Sequence, residues 1–299
     1  MEESRSVERA KTDSEMGEET KQAFAVVTDS AASIPRQMQE QYGVSVVPIW
    51  IQVSDRTYRE REDISTEEFY GMMQGEQIPC TSSPPPGEFV KVYRQLAARF
   101  KEILSIHITA KASATYQAAK MAAESIHEAK VTVYDSGTVS MGTGFMVLEA
   151  AKAALGGLKV EEIIPKLDAI KDRVHAFVAI PTLQYLRKSG RVSQGQSILG
   201  SILSVKLVLE LKDGILRVVD KVRRYPRALE RVVELASSAV GGAPSRVAVM
   251  HANCPDEALR LCERVRERIN VKELVVGDVG AALAVHGGPG MTGIILYPV

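Results

Sequence analysis

Three hydroxyl side chains followed directly by three prolines make residues 81–87, Thr-Ser-Ser-Pro-Pro-Pro-Gly, the stretch best suited to holding a ligand. Proline fixes its φ angle at about −65° and has no N–H, so Thr81 and Ser82 can be presented with little loss of conformational entropy. A helix N-terminus with a proline lead-in has the same composition. The stretch therefore predicts a rigid binding loop or, alternatively, a simple helix start.

Two more polar positions each allow two interpretations. Ser113 comes before an alanine-rich segment, where it either caps a helix or helps to direct the free N–H groups of that helix toward a carboxylate. His286 precedes Gly-Gly-Pro-Gly and follows a predicted strand over residues 281–285. Glycines there would let the backbone approach a ligand, and the imidazole could donate a hydrogen bond to an anion. A tight turn with a solvated histidine accounts for the same residues.

The chain lacks the motifs of several common enzyme classes. It has no Gly-x-Ser-x-Gly nucleophile elbow, no Walker loop and no His-Glu-x-x-His motif. The five histidines have no ligand-like spacing, so we expect no metal site and no cofactor. The basic positions Arg187, Arg191, Arg223 and Arg224 indicate either a solvated face or a surface that docks an anion or a partner.

The composition restricts the possible binding partners and the cellular compartment. The 37 basic side chains balance 37 acidic ones, and no helix-turn-helix pattern is present, which argues against a nucleic-acid binder. No run approaches the roughly 20 apolar residues of a membrane span. Cys80, Cys254 and Cys262 are too scattered for a disulfide framework or a zinc site and favour a reducing cytoplasm. We expect residues 1–22 to form a disordered extension.

Strands that alternate with helices predict a parallel α/β domain over residues 23–157. The predicted strands cover 24–28, 44–53, 103–108 and 131–134, and one helix begins with a capping box between Ser65 and Glu68. Ligand groups gather at the carboxyl ends of the strands in such a sheet. The glycine pair at 156–157 is expected to end the last helix and to mark the domain boundary.

Residues 158–299 predict an α+β domain with antiparallel pairing. Lys-Asp-Gly at 212–214, between strands at 206–211 and 215–219, is a strong β-hairpin signal. The remaining predictions are helices at 161–172, 183–189, 198–203, 226–240 and 255–269, and strands at 176–180, 246–252, 273–276, 281–285 and 294–297.

Several short motifs resemble those of the DegV family of fatty-acid-binding proteins over residues 24–299. They are Val-Thr-Asp-Ser at 27–30, Asp-Ile-Ser at 63–65, Thr-Ser-x-Pro at 81–84, Ser-Ala-Thr-Tyr at 113–116, Asp-Ser at 135–136, Leu-x-Tyr-Leu-x-x-x-Gly-Arg-Val-Ser at 183–193, Lys-Val-Arg at 221–223 and His-x-Gly-Pro-Gly at 286–290. Each motif is unspecific alone, but their shared order and spacing make the resemblance strong.

The resemblance implies that a long-chain fatty acid such as palmitate or oleate lies between an N-terminal parallel α/β domain and a C-terminal α+β domain. Thr81, Ser113 and His286 would contact the carboxylate. The full set of ligand-binding residues that it implies is Thr81, Ser82, Ser113, Ala114, His286 and Gly288, with Arg223 and Arg191 facing a partner. The expected protein is a non-enzymatic cytoplasmic carrier that presents the carboxylate to a separate fatty acid kinase, feeding phospholipid synthesis.

The chain departs from the family pattern at positions close to the expected carboxylate. Ala114 replaces the usual glycine of Ser-Gly-Thr-Tyr, Pro85 stands where serine is common, and Gly287 replaces a frequent threonine. Ala114 makes close approach of the backbone harder, and Pro85 removes one hydroxyl. These changes affect the head-group contacts rather than the fold.

The alternative from another class is a serine-dependent acyl hydrolase or transferase. Ser113 or Ser82 would be the nucleophile and His286 the base. Such a mechanism requires a hydroxyl-to-imidazole hydrogen bond, a third group that orients the ring, and an oxyanion hole.

Overall fold

The structure is a computed structural model that describes residues 22–74, 78–191 and 205–299. Most of the predicted extension and the predicted helix at 198–203 lie outside these residues.

The strands are β1 (Ala25–Asp29), β2 (Val44–Val47), β3 (Trp50–Val53), β4 (Arg56–Arg59), β5 (Cys80–Ser82), β6 (Glu102–His107), β7 (Lys130–Asp135), β8 (His175–Ile180), β9 (Lys206–Lys212), β10 (Ile215–Val222), β11 (Ser245–His251), β12 (Val271–Asp278) and β13 (Thr292–Pro298). The helices are α1 (Arg36–Gln41), α2 (Thr66–Met72), α3 (Pro86–Ala97), α4 (Thr115–Ala123), α5 (Met141–Leu155), α6 (Val160–Arg173), α7 (Leu183–Ser189), α8 (Tyr225–Val240), α9 (Pro255–Arg268) and α10 (Ala281–Gly287), with a 3-10 helix at Ser30–Ala32.

A parallel sheet forms the centre of the N-terminal part, in the order β2-β1-β6-β7. Every residue of β1 is buried, as its continuous apolar run predicts for a strand covered on both faces. Helices α3 and α4 pack on one face of the sheet and α5 packs on the other. The predicted parallel α/β architecture is confirmed.

A six-stranded sheet forms the C-terminal part, in the order β10-β9-β8-β13-β11-β12. All its pairs are antiparallel except β11 with β12. The predicted hairpin joins β9 to β10, and Asp213 and Gly214 in its turn both have positive φ, at 52° and 74°. Tight hairpins require such values because they match the twist of the strands. Helices α8 and α9 cover one face of this sheet.

A small antiparallel sheet, β4-β3-β5, differs from the sequence prediction in two ways. The run 44–53 was expected to be one strand, but it divides at residues 48–49 into β2 and β3, which belong to different sheets. Thr81 and Ser82 were expected in a loop, but they lie in β5 at the edge of this sheet. The proline at position 48 ends β2, because proline cannot donate to a strand ladder.

The segment 281–285 is the clearest error, because it is not a strand but most of helix α10. A short apolar run cannot be assigned by periodicity alone, although three alanines favour a helix. Helix α10 contacts α2, α7, β3, β5 and the 3-10 helix. It belongs to the C-terminal part of the chain but packs against elements of the N-terminal part.

Helix α5 lies between the two large sheets and contacts β1, β6 and β13. One hydrophobic cluster is therefore continuous across both parts of the chain. The parallel sheet ends at Asp135 and the six-stranded sheet begins at His175, a range that contains the predicted boundary at 157. No helix in the described part of the chain is long and apolar enough to cross a membrane.

Candidate functional site

A cavity of about 530 Å³ lies between the N-terminal and C-terminal parts of the chain. Its volume falls in the range of roughly 300–1,000 Å³ that is usual for small-molecule sites. Most of the wall is apolar, and both parts of the chain contribute to it. Examples from the two parts are Ile49, Ile108, Val139, Phe177, Leu209 and Ile295.

The cavity wall contains five of the six predicted ligand-binding residues: Thr81, Ser82, Ser113, Ala114 and His286. Thr81 Oγ1 lies 3.2 Å from His286 Nε2, although the two residues are 205 positions apart in the sequence. The fold therefore joins two motifs whose pairing no local pattern indicates.

The proline-rich stretch begins a helix, as one of its two interpretations predicts, while Thr81 and Ser82 lie in a strand that lines the cavity. Thr81 pairs with Ile51 across β3 and β5, so backbone hydrogen bonds hold its side chain against the cavity. Pro84 is buried, and Pro85 is the N-cap of α3 without a side-chain cap of its own. Pro86 occupies the first helical position, where the missing N–H has no cost. The segment thus ends a strand that presents hydroxyls and begins a helix.

Ser113 lies just before the first turn of a helix and also lines the cavity. Its Oγ lies 2.7 Å from Thr115 Oγ1 and accepts a 3.3 Å hydrogen bond from Thr115 N. Helix α4 begins at Thr115, and its N-cap residue Ala114 has no side-chain capping bond. Ser113 therefore supports the first turn of α4 while it lines the cavity.

His286 lies in the last turn of α10 rather than at the end of a strand. Burial, and then the nearby positive charge of Arg191, lower the pKa of His286 to about 4. The ring is consequently neutral at pH 7 and carries a single N–H. Its Nδ1 atom is buried without a hydrogen-bond partner among the described residues. A neutral donor beside a guanidinium suits an anionic oxygen.

The other three predicted site residues lie elsewhere or act differently. Arg191, expected to face a partner, is exposed and lines the cavity, where its charge reaches His286. Arg223 lines a separate surface groove. Gly288 is not part of the cavity wall, and its φ is +81°. A Cβ at Gly288 would lie 2.2 Å from the ring of Tyr185, so this glycine is required for packing.

Sequence reasoning missed several wall residues. Lys111 lines the cavity and donates a 2.8 Å hydrogen bond to the carbonyl of Asp213, which ties the β6–α4 loop to the β9–β10 hairpin. Leu209 and Leu211 also line it from β9. Their period-two spacing was the one available signal, because alternate residues of a strand face the same side.

A second polar cluster has the residue types of a catalytic triad but not its accessibility. Ser105 Oγ lies 2.7 Å from His107 Nε2, and His107 Nδ1 lies 2.9 Å from Asp29 Oδ2. The Tyr93 hydroxyl donates to Ser105 at 2.7 Å. All four side chains are fully buried, so no substrate can reach the serine. The cluster fixes the ends of β1 and β6 instead.

No group of three or more His, Cys, Asp or Glu side chains within residues 22–74, 78–191 and 205–299 could hold a metal ion. The three cysteines are free thiols. The polar groups of the cavity wall are hydroxyls, one neutral imidazole and the cationic side chains of Lys111 and Arg191. A largely apolar cavity with a few convergent polar groups is typical of small-molecule binding sites.

The chain belongs to the DegV family. The model of this family, described as "Uncharacterised protein, DegV family", matches residues 23–299. It is 36% identical over 274 residues to the DegV domain-containing protein SCO2569 of Streptomyces coelicolor, covering 91% of this chain and 97% of that protein. It is 33% identical over 274 residues to Protein DegV of Bacillus subtilis, covering 91% and 98% of the two chains.

Two solved structures share the fold over almost the whole chain. One is a fatty-acid-binding DegV family protein from Thermus thermophilus, with a TM-score of 0.86, 31% identity, and coverage of 93% of this chain and 100% of that one. The other is DegV, a fatty acid binding protein from Bacillus subtilis, with a TM-score of 0.85, 32% identity and the same coverage. DegV relatives of this chain therefore bind fatty acids.

Proposed function

We propose that this protein binds one long-chain fatty acid, such as palmitate or oleate, in the cavity between its two parts. The observation that carries the proposal is the apolar cavity whose wall includes the contact between Thr81 and His286. Burying about 14 methylenes at about 0.8 kcal/mol each contributes roughly 11 kcal/mol before the costs of association. Affinity can therefore come mainly from the acyl chain.

The polar wall residues then need only to satisfy the carboxylate. Thr81, Ser113 and His286 are the direct contacts in this proposal, with Ser82 and the backbone of Ala114 beside them. A buried carboxylate without partners would be costly, which is why several donors must converge on it. The positive charge of Arg191, close enough to lower the pKa of His286, would also favour the anion.

We further propose that the protein is a carrier that presents the carboxylate to a separate fatty acid kinase in a reducing cytoplasm. Support comes from a groove lined by five arginines and two glutamates, namely Arg223, Arg224, Arg227, Arg264, Arg268, Glu230 and Glu267. Arg227 pairs with Glu230 and Glu234, while the other four guanidinium groups have no ion-pair partner in the described part of the chain. Unpaired guanidinium groups suit an acidic partner surface.

Hydrolysis or acyl transfer is the less well supported alternative. His286 meets Thr81, whereas the Ser113 hydroxyl pairs with Thr115. The other ring nitrogen of His286 lacks an orienting partner among the described residues, and a pKa of about 4 makes the ring a weak base at pH 7. A chromogenic ester assay with Ser113→Ala and Ser82→Ala tests this alternative, and turnover lost in either variant would favour it.

Mass spectrometry of the purified, denatured protein tests fatty acid binding directly. We expect one long-chain fatty acid per protein chain, and titration of delipidated protein with palmitate or oleate should restore it. A protein that carries none and binds neither added acid would refute the proposal. For the kinase step, Arg223→Glu should leave palmitate affinity unchanged and lower acyl phosphate formation by a bacterial fatty acid kinase at least tenfold. Equal turnover would refute the docking role.

A further inference from the structure

Helix α10, which carries His286, has no capping residue of its own. Its N-cap is Gly280, which has no side chain and a φ of +80°. Glu60 supplies the missing acceptor, since its Oε1 accepts a 3.0 Å hydrogen bond from the backbone N–H of Ala282, 222 positions away in the sequence. The backbone of Ala281 also donates to this carboxylate. A distant carboxylate therefore satisfies the first turn of the helix.

The carboxylate of Glu60 is itself held on its other side. Its Oε2 accepts a hydrogen bond from the Ser30 hydroxyl, and Ser30 Oγ accepts a 2.9 Å bond from the backbone N–H of Ile49. Glu60 is only 2% exposed. A Cβ at Gly280 would lie 2.5 Å from Glu60 Oε1, so glycine is required for this close approach.

Glu60 and Thr81 both belong to the region of the small sheet β4-β3-β5. Glu60 directly follows β4 at one edge of the sheet, and Thr81 lies in β5 at the other edge. Helix α10 contacts β3 and β5 of this sheet. Glu60 lies at the first turn of the helix, and Thr81 lies beside His286 at its last turn.

Two further contacts fix the segment that enters α10. The Tyr70 hydroxyl donates to Asp278 at 3.0 Å, and Ser33 Oγ donates to the carbonyl of Val279 at 2.8 Å. Both contacts join the N-terminal part to the C-terminal part. They hold the residues before the helix, whereas Glu60 binds the N–H groups of the helix itself.

We propose that Glu60 is a positioning residue for fatty acid binding, because it fixes α10 on the small sheet and so sets His286 against Thr81. This inference rests on the proposed function of the cavity. Loss of the carboxylate would leave the first N–H groups of α10 without an acceptor. The helix could then shift, His286 would leave Thr81, and water would reach the ring.

The test compares Glu60→Ala with Glu60→Gln in the full-length protein. NMR of histidine labelled at the ring follows the protonation of His286 between pH 8 and pH 5. The wild-type ring should stay neutral, because its pKa is about 4. In Glu60→Ala the ring should titrate at about 6.5, the value of a solvated histidine. Palmitate affinity should fall at least tenfold in Glu60→Ala and stay within threefold in Glu60→Gln, which keeps an acceptor for Ala282.

Glu149 offers a matched control, because its carboxylate also joins the two parts of the chain. It pairs with Arg246 on β11 and does not line the cavity. Glu149→Ala should leave His286 neutral and palmitate affinity within twofold. Equal effects in Glu149→Ala and Glu60→Ala, or a folded Glu60→Ala with wild-type behaviour, would overturn the inference.

Two outcomes need separate variants or readouts. If Glu60→Ala does not fold, Gly280→Ala takes its place, because the added Cβ displaces the carboxylate and should produce the same titration and affinity loss. Unchanged titration and affinity in a folded Gly280→Ala would then overturn the inference. A wild-type protein that binds no fatty acid would refute the proposed function alone. The titration of His286, which needs no ligand, would still decide whether Glu60 positions the ring.

Discussion

The substitution Thr81→Val removes one hydroxyl from the cavity wall and leaves the side-chain volume nearly unchanged. Thr81 Oγ1 lies 3.2 Å from His286 Nε2, and both residues line the cavity. A hydrogen bond to a charged group contributes about 1.5–3 kcal/mol. Palmitate affinity should therefore fall about 10- to 150-fold. Binding should persist, because the acyl chain contributes several times more than one hydroxyl.

A series of saturated fatty acids separates the two contributions. Each methylene removed from the ligand should cost about 0.8 kcal/mol, which is roughly a fourfold loss of affinity. Head-group and acyl-chain contacts are distant from each other, so their contributions should add. Thr81→Val should lower the affinity for every chain length by the same factor and leave the dependence on chain length unchanged.

Isothermal titration calorimetry on delipidated protein provides these affinities. The matched control is Thr57→Val, which alters an exposed threonine on β4 of the same small sheet. That variant should bind like the wild type. Affinity within twofold of wild type in Thr81→Val would refute the assignment of Thr81 to the carboxylate. A changed dependence on chain length would show instead that the substitution distorts the apolar wall.

Two further predictions concern stability. The folded-state pKa of His286 is about 4 and its ordinary value is 6.5, so the unfolded chain binds more protons between these pH values. The neutral ring therefore contributes at most about 3 kcal/mol to the free energy of unfolding, and this contribution should be present above pH 6.5 and disappear as the pH falls to 4. Urea unfolding across this pH range should show a smaller loss of stability in His286→Asn than in the wild type. Gly288→Ala should lower the free energy of unfolding by at least about 2 kcal/mol, because Tyr185 occupies the space. The matched control is Gly157→Ala, because Gly157 has a similar φ of +79° but no atom lies within 4 Å of an added Cβ. This control should lower the free energy of unfolding by less, and equal losses in the two variants would contradict the packing argument.

Elements whose signals are local were predicted from the sequence. The capping box between Ser65 and Glu68 is present with both of its hydrogen bonds, because it depends on residues three positions apart. The Asp213-Gly214 hairpin is confirmed for the same reason. Parallel strands followed from runs of apolar residues joined by helical segments.

Elements whose conformation depends on distant partners were predicted wrongly. Residues 281–285 carry no strong period, and the acceptor for the first turn of α10 is Glu60, more than 200 positions earlier. The proline at position 48 is a local signal for the end of β2, but the sheet that β3 joins depends on its pairing with β5, which comes later in the chain. Such pairings have no signature in the local sequence.

The sequence by itself determined which residue types the site could use: hydroxyls after a strand, a histidine before glycines, and ample apolar residues. It also determined the family to which the chain belongs. Only the tertiary structure decided that Thr81 meets His286, that Ser113 pairs with Thr115, and that Gly288 serves packing. The physical reason is that contact between distant residues depends on how the two parts of the chain pack around a shared core.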